Sequence, residues 1–215
     1  MICYPVGRPL MNPSDWNVVM LGAWNRAILT PAWISQTVFA NAAEVPVNVL
    51  VPLDGTTPFQ VEDQGITVVP IPGQLIIQLG APNQETLARA MAAAQRAIQD
   101  LPRTPLRACG INLRYSAPEP PRALVSRTRC QTERILSDSG RELRTRRRGE
   151  TLSFHEGSLN IITDIPTAGS CTVNFNFERQ STNRDDILAW LGRSASDYIV
   201  EATDIIHLIA EEGDA

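Results

Sequence analysis

Twice along the chain, a series of strand-like segments is followed by a segment with helical periodicity. In the first half, strand patterns over residues 59–69 and 75–79 precede apolar residues at helical spacing over 84–100. In the second half, strict two-residue alternation over 171–178 precedes a helical pattern over 184–210. Antiparallel hairpins followed by a helix are typical of a sheet with one covered face. We therefore expect an α+β fold, in which two pseudo-repeated strand-rich units form a mostly antiparallel sheet and each unit's closing helix packs on one sheet face.

The repeat also suggests how the chain is divided. Residues 1–15 contain three prolines and are predicted to form an extended N-terminal arm. The first unit spans residues 16–102 and the second spans 106–210, and both are expected to share one compact domain. Identity between the two units is negligible, so the repeat is a pattern of element types.

The first unit begins with a predicted strand over residues 18–24. Thr30 followed by proline is a good helix start, because threonine caps the backbone and proline at the first helical position needs no amide donor. We expect this helix to extend to about residue 43 and a strand to follow over 45–53. A turn at 63–65 divides the next apolar stretch into a hairpin.

The second unit begins with a predicted strand over residues 106–115, followed by a proline-rich loop at 116–121 that is the best candidate boundary. A hairpin is also expected over residues 151–165, around a turn at Glu156–Gly157. Gly192 is expected to loosen the closing helix in its middle.

Between these elements lies an arginine-rich segment. Residues 124–136 are predicted to form a strand, 137–140 a turn and 141–148 the return strand. The resulting hairpin over 127–148 is the candidate binding site, with seven arginines: Arg127, Arg129, Arg141, Arg144, Arg146, Arg147 and Arg148.

Guanidinium groups bind oxyanions in a fork geometry, so the arginine hairpin could hold the phosphates of a nucleic acid. The alternatives are pairing with acids of the same chain or with a second subunit. Asp197, Glu201 and Asp204 lie on one stripe of the last predicted helix and form the candidate acidic counter-surface. Because this complement exists in the same chain, pairing with protein acids is favoured over nucleic acid.

Charge is segregated along the chain in a way that the net charge of −4 conceals. Residues 89–148 carry 14 arginines against five acids, a net of +9, whereas residues 149–215 carry three arginines against twelve acids, a net of −9. Opposed charge blocks of this kind favour association between surfaces of opposite sign.

Little in the sequence points to catalysis or to a cofactor. Lysine is absent, which excludes mechanisms that depend on a Schiff-base or phosphate-loop lysine. His155 is predicted in a turn and His207 on a helix surface. The four cysteines, Cys3, Cys109, Cys130 and Cys171, are widely spaced and are expected to be reduced and to lie on buried strand faces. We expect no catalytic residues, no metal and no cofactor.

The tryptophans are expected in the core or at a helix–sheet seam, where a pocket for an apolar ligand could also open. No membrane span or targeting segment is recognised, so we expect a cytoplasmic protein. The leading functional hypothesis is a non-enzymatic binding or assembly protein that acts through protein–protein contacts, including self-association. The alternatives are nucleic-acid binding by the arginine hairpin, and a small-molecule-binding or hydrolytic protein with a pocket between sheet and helices.

Overall fold

In the computed structural model of the protein, which describes residues 10–42, 47–52 and 58–211, nine strands form one antiparallel sheet. The order of the strands is β2-β3-β4-β5-β1-β6-β9-β8-β7. Their bounds are β1 Asn12–Gly22, β2 Asn48–Leu50, β3 Gln60–Asp63, β4 Ile66–Ile71, β5 Gln74–Leu79, β6 Leu106–Ala117, β7 Thr145–Phe154, β8 Gly157–Pro166 and β9 Cys171–Gln180. The α+β class and the antiparallel sheet are therefore confirmed.

Most strands of the first half lie where the sequence places them. The turn at residues 63–65 joins β3 to β4, and β5 covers the predicted 75–79 segment. β1 begins at Asn12, inside the segment predicted as an arm, and the first nine residues lie outside the described part of the chain. Of the strand predicted over 45–53, only Asn48–Leu50 is found as a strand among the described residues.

Helix α1, Pro31–Trp33, begins as the sequence predicts. Thr30 caps it by accepting a hydrogen bond from the Trp33 amide at 3.2 Å. The helix then widens into a π-helical turn over Ile34–Val38, which ends before the predicted limit near residue 43. The guanidinium of Arg96 donates to the carbonyl of Val38 at 2.9 Å and so satisfies a backbone acceptor that the helix end leaves open.

Helix α2, Gln84–Asp100, confirms the strongest helical pattern. Asn83 forms a capping box, because its side chain accepts from the Thr86 amide at 2.9 Å while the Thr86 hydroxyl accepts from the Asn83 amide. The predicted apolar positions Leu87, Met91 and Ile98 are buried. This helix contacts β1, β4 and β5 as well as the two closing helices.

The predicted strand over residues 124–136 is wrong. The segment forms two helices, α3 Arg122–Thr128 and α4 Gln131–Asp138. Leu124 and Thr128 are its buried side chains, and their separation of four residues is a helical spacing. The Thr128 hydroxyl donates to the Leu124 carbonyl at 2.8 Å. The polar alternation in this segment therefore mimics a strand while its buried residues follow a helix.

The second hairpin is longer than predicted. β7 and β8 pair from Thr145–Pro166 to Phe154–Gly157, so the end of the predicted arginine return strand belongs to this hairpin. His155 occupies the turn with a φ of 49°. Gly157 starts β8 in close contact with its surroundings, since a Cβ there would lie 2.3 Å from the Glu178 carbonyl oxygen.

The closing helix predicted over residues 184–210 is divided into α5 Arg184–Leu191 and α6 Ala195–Ala210. Gly192 is the C-cap of the first helix, and Ser194 caps the second by accepting from the Ser196 amide at 3.3 Å. A glycine and a serine two residues apart are stop and start signals, which end one helix and begin another.

Side chains of one sheet face form the core together with α2, α5 and α6. Phe154, Phe177, Trp190 and Tyr198 form its aromatic centre, where the rings of Phe154 and Phe177 lie 4.8 Å apart. The hydroxyl of buried Tyr198 donates to the Trp190 carbonyl at 2.8 Å.

Candidate functional site

The corrected fold divides the seven predicted site arginines among three places. Arg127 lies at the end of α3, and Arg129 lies between α3 and α4. Arg141 and Arg144 lie in the connection from α4 to β7, and the remaining three, Arg146, Arg147 and Arg148, lie on β7. No arginine hairpin is formed, because residues 122–138 are helical.

The three arginines on β7 are paired with acids. Arg146 Nε donates to Glu133 Oε2 at 2.9 Å, and its Nη2 bonds the second carboxylate oxygen. Arg147 Nε lies 3.7 Å from Asp164 Oδ1 on the neighbouring strand, and Arg148 pairs with Glu150. Neutralisation of the segment thus comes in part from Glu133, Glu150 and Asp164, acids that the sequence interpretation did not single out.

The pair between Arg146 and Glu133 is the best shielded of these contacts. Their side chains are 15% and 18% exposed, respectively. The hydrogen bond from Arg146 lowers the pKa of the Glu133 carboxyl below its usual range. Because Glu133 lies on α4 and Arg146 on β7, the pair attaches this helix to the sheet edge.

Arg127 contributes a different contact. Its guanidinium donates to the Leu208 carbonyl in the last turn of α6, where a cation also complements the helix dipole. The Arg127 carbonyl accepts from Arg148 Nη1 at 3.0 Å. These two bonds connect α3 to α6 and to β7.

The other three arginines are presented to solvent. Arg129, Arg141 and Arg144 are exposed and form no ion pair with any acid in the described ranges. On the same segment, Ile135 and Leu136 of α4 are 59% and 37% exposed. We refer to the surface formed by Arg129, Arg134, Ile135, Leu136 and Arg141 as the α4 patch.

The predicted acidic residues lie together on α6. Asp197 and Asp204 are exposed and Glu201 is half-buried. Val200, which is 55% exposed, lies among them at the same helical face. We refer to Asp197, Val200, Glu201 and Asp204 as the α6 stripe. It combines negative charge with an apolar side chain, as the α4 patch combines positive charge with two.

A cavity of about 410 Å³ lies between α3, α6 and the β7–β8 hairpin. Its walls are mostly apolar, with Leu124 from α3, Leu152 and Ile161 from the hairpin, and Ile205, Leu208 and Ile209 from α6. Arg127, Thr128, Arg148, Glu150 and Thr163 supply its polar groups. The sequence predicts a pocket between sheet and helices only in general terms and does not identify these residues.

The opposite face of the sheet carries a polar row that the sequence analysis did not detect. Directly paired residues cross all nine strands in the order Asn48, Glu62, Thr67, Gln78, Asn17, Asn112, Asn176, Asn160 and Thr151. Across the last five strands the side chains are hydrogen-bonded in series. Asn112 Nδ2 donates to Asn17 Oδ1 at 2.7 Å, and Asn176 Nδ2 donates to Asn112 Oδ1 at 2.5 Å. Alternation of polar residues within each strand was the available signal, but alignment between strands requires their register.

The remaining candidate residues have structural positions. Cys109 and Cys171 are buried as predicted, whereas Cys130 is exposed between the two short helices and corrects that expectation; Cys3 lies outside the described residues. Burial raises the pKa of the Cys109 and Cys171 thiols. His207 lies on the surface of α6, where its Nδ1 is 2.6 Å from Glu211. Among the described residues, no group of three His, Cys, Asp or Glu side chains is arranged to hold a metal ion.

Comparisons of the chain with models of known protein families, with curated proteins and with solved structures found no match. No helix in the described part of the chain is both long and apolar enough to cross a membrane.

Proposed function

We propose that this protein is a non-enzymatic binding and assembly protein that self-associates by placing the α4 patch of one copy on the α6 stripe of another. The observation that carries the proposal is the pair of surfaces with opposite charge and exposed apolar side chains on one chain. Arg129 and Arg141 are exposed on one surface, and Asp197 is exposed on the other.

Apolar burial supplies the affinity in this arrangement, and charge supplies the orientation. Exposed ion pairs contribute at most about 1 kcal/mol each. Covering Ile135, Leu136 and Val200, all at least 37% exposed, removes apolar surface from water at about 25 cal/mol per Å². Opposite charges accelerate encounter and select the register between the surfaces.

A two-fold arrangement satisfies both surfaces at once. Each copy would offer its α4 patch to the other copy's α6 stripe, giving two equivalent contacts in a closed dimer. An open arrangement would instead leave one patch free at each end and would produce longer assemblies as concentration rises.

Sedimentation velocity at about 50 mM and about 500 mM salt tests the proposal, because screening lengths differ about threefold between these conditions. We expect a dimer at low salt and weaker association at high salt. Replacing Arg129 and Arg141 with glutamate should yield a monomer, and replacing Asp197 and Glu201 with arginine should do the same. Mixing the two variants should restore association, since each then repels itself and attracts the other.

The matched control replaces Arg26 and Arg103, two exposed arginines outside both surfaces, with glutamate. It changes the net charge by the same amount as the α4 variant and should leave association unchanged. A wild-type chain that stays monomeric at every concentration and salt would exclude self-association, and failure of the mixed variants to pair would exclude this interface.

Nucleic-acid binding is the second candidate, favoured by the three exposed guanidinium groups of Arg129, Arg141 and Arg144. Replacing all three with glutamine should weaken binding to DNA or RNA and flatten its salt dependence by about 0.9 per lost phosphate contact on duplex DNA. Fluorescence polarisation with labelled single- and double-stranded probes measures both quantities. Absence of binding at low salt would exclude this candidate.

A cytoplasmic location belongs to the same proposal. Cys130 is a free and exposed thiol, and Cys109 and Cys171 are free and buried. Unpaired thiols are typical of reducing compartments, which supports that location.

The relation of the two units as repeats is also a proposal. It is supported by the strand order, in which β5, β4, β3 and β2 follow outward from β1, and β9, β8 and β7 follow outward from β6. Each unit also has its helical segment after its last strand.

A further inference from the structure

We propose that the cavity between α3, α6 and the β7–β8 hairpin binds a medium-chain monocarboxylate, with the carboxylate at Arg148 and Thr163 and the acyl chain directed toward Leu152. This ligand site is independent of the proposed self-association, because neither the α4 patch nor the α6 stripe lines the cavity.

The cavity is polarised along β7. Arg148, Glu150 and Leu152 alternate on the strand, so their side chains share the cavity face, with charge at one end and an apolar residue at the other. At about 3.3 Å per residue, Arg148 and Leu152 are separated by roughly 13 Å along the strand. Ile205 and Ile209 of α6 extend the apolar part. An amphiphile with one polar end matches this distribution.

Thr163 supplies the second observation. It is paired with Arg148 across the two strands and is only 4% exposed, yet it lines the cavity. Its hydroxyl forms no hydrogen bond with any group in the described residues. A hydroxyl so nearly removed from water carries a cost that an acceptor in the cavity would relieve.

The charges at this end favour a single negative group. Arg127 and Arg148 against Glu150 leave one excess positive charge. Arg148 uses Nη1 for the Arg127 carbonyl and Nε for Glu150, which leaves Nη2 to donate. A ligand carboxylate could therefore accept from Arg148 and from the Thr163 hydroxyl together. Glu150 would compete with it, because it bonds the same guanidinium.

The size of the cavity is compatible with such a ligand. Its volume of about 410 Å³ lies within the range of roughly 300–1,000 Å³ that is typical of small-ligand sites. Leu208 at its wall is 73% exposed in the unliganded chain, and an acyl chain would cover part of this surface.

Isothermal titration calorimetry of the full chain with octanoate and with octan-1-ol tests the assignment. Octanoate should bind at least about tenfold more tightly than the alcohol, since one good charge-assisted hydrogen bond accounts for that ratio. Arg148→Gln and Thr163→Val should each weaken octanoate binding about tenfold and bring it close to that of the alcohol. Glu150→Gln should strengthen it, because the competing carboxylate is removed.

Arg141→Gln, at an exposed arginine outside the cavity, is the matched control and should not change the affinity. Circular dichroism establishes that each variant is folded, and if Arg148→Gln is not, the rise expected for Glu150→Gln decides the question. Equal affinities for octanoate and octan-1-ol, no gain in Glu150→Gln, or no binding of octanoate would each overturn the proposal.

Discussion

The guanidinium of Arg146 on β7 forms two hydrogen bonds to the carboxylate of Glu133 on α4, thirteen residues earlier in the chain. Both side chains are largely shielded from solvent. α4 has eight residues, which is too short for a stable isolated helix in water. Its position on the sheet edge therefore depends on this pair, and so does the geometry of the α4 patch.

The pair makes the attachment of α4 dependent on pH. Because the pKa of Glu133 is lowered in the folded chain, its ionised form is stabilised by folding. The contribution is complete above the ordinary glutamate pKa of about 4.5 and is lost as the pH falls through the lower folded value. We expect amide hydrogen exchange in α4, corrected for intrinsic rates, to accelerate at acid pH.

Glu133→Gln should show rapid exchange in α4 at every pH. Asp138→Asn is the control, because Asp138 lies 4.0 Å from Arg134 and both side chains are more than 70% exposed. Protection of α4 that is equal in the wild type and in Glu133→Gln above pH 5 would contradict this account.

A second prediction concerns Gly157. A Cβ at this position would lie 2.3 Å from the Glu178 carbonyl oxygen and 3.0 Å from the Trp190 ring. Gly157→Ala should therefore lower the free energy of unfolding by about 1–3 kcal/mol through overpacking. Gly149→Ala on β7 is the control, since its nearest neighbour would lie 3.9 Å away. Chemical denaturation of the two variants measures the difference, and equal stabilities would refute the steric argument.

A third prediction concerns the asparagine series on the uncovered sheet face. Asn112 donates to Asn17 and accepts from Asn176, so Asn112→Ala removes two hydrogen bonds and should cost roughly 1 kcal/mol. Ser116→Ala on the same strand and face should have little effect. A double-mutant cycle with Asn176→Ala should show coupling of about 0.2–1 kcal/mol by urea denaturation. Strict additivity would mean that the series does not stabilise the sheet.

A fourth prediction concerns thiol reactivity. In a Cys3→Ser background, a thiol reagent such as iodoacetamide should modify Cys130 in the folded chain and leave Cys109 and Cys171 unmodified. Burial both blocks access to these two thiols and raises their pKa, which suppresses the reactive thiolate. Mass spectrometry counts the modified sites, and full modification in denaturant provides the reference. Rapid labelling of Cys109 in the folded chain would contradict the buried position.

The candidate site was predicted from the sequence only in part. The arginines of residues 127–148 and the acids of α6 are visible in composition, and so is their opposed charge. The sequence did not show that Arg146 pairs with Glu133 or that Arg129, Arg141 and Arg144 are exposed. It also could not show the cavity, because Arg148, Thr163 and Ile205 come from three elements that only folding brings together.

Local periodicity by itself determined the α+β class, helix α2 and the alternating strand β9, because spacing of 3.6 or 2 residues is written directly in the chain. The same local reading mistook α3 and α4 for a strand, since their polar surfaces obscure the four-residue spacing of Leu124 and Thr128. Tertiary structure alone decided the strand order, the polar row across the sheet and the partners of the arginines. These depend on contacts between residues distant in the chain, whose register no single segment specifies.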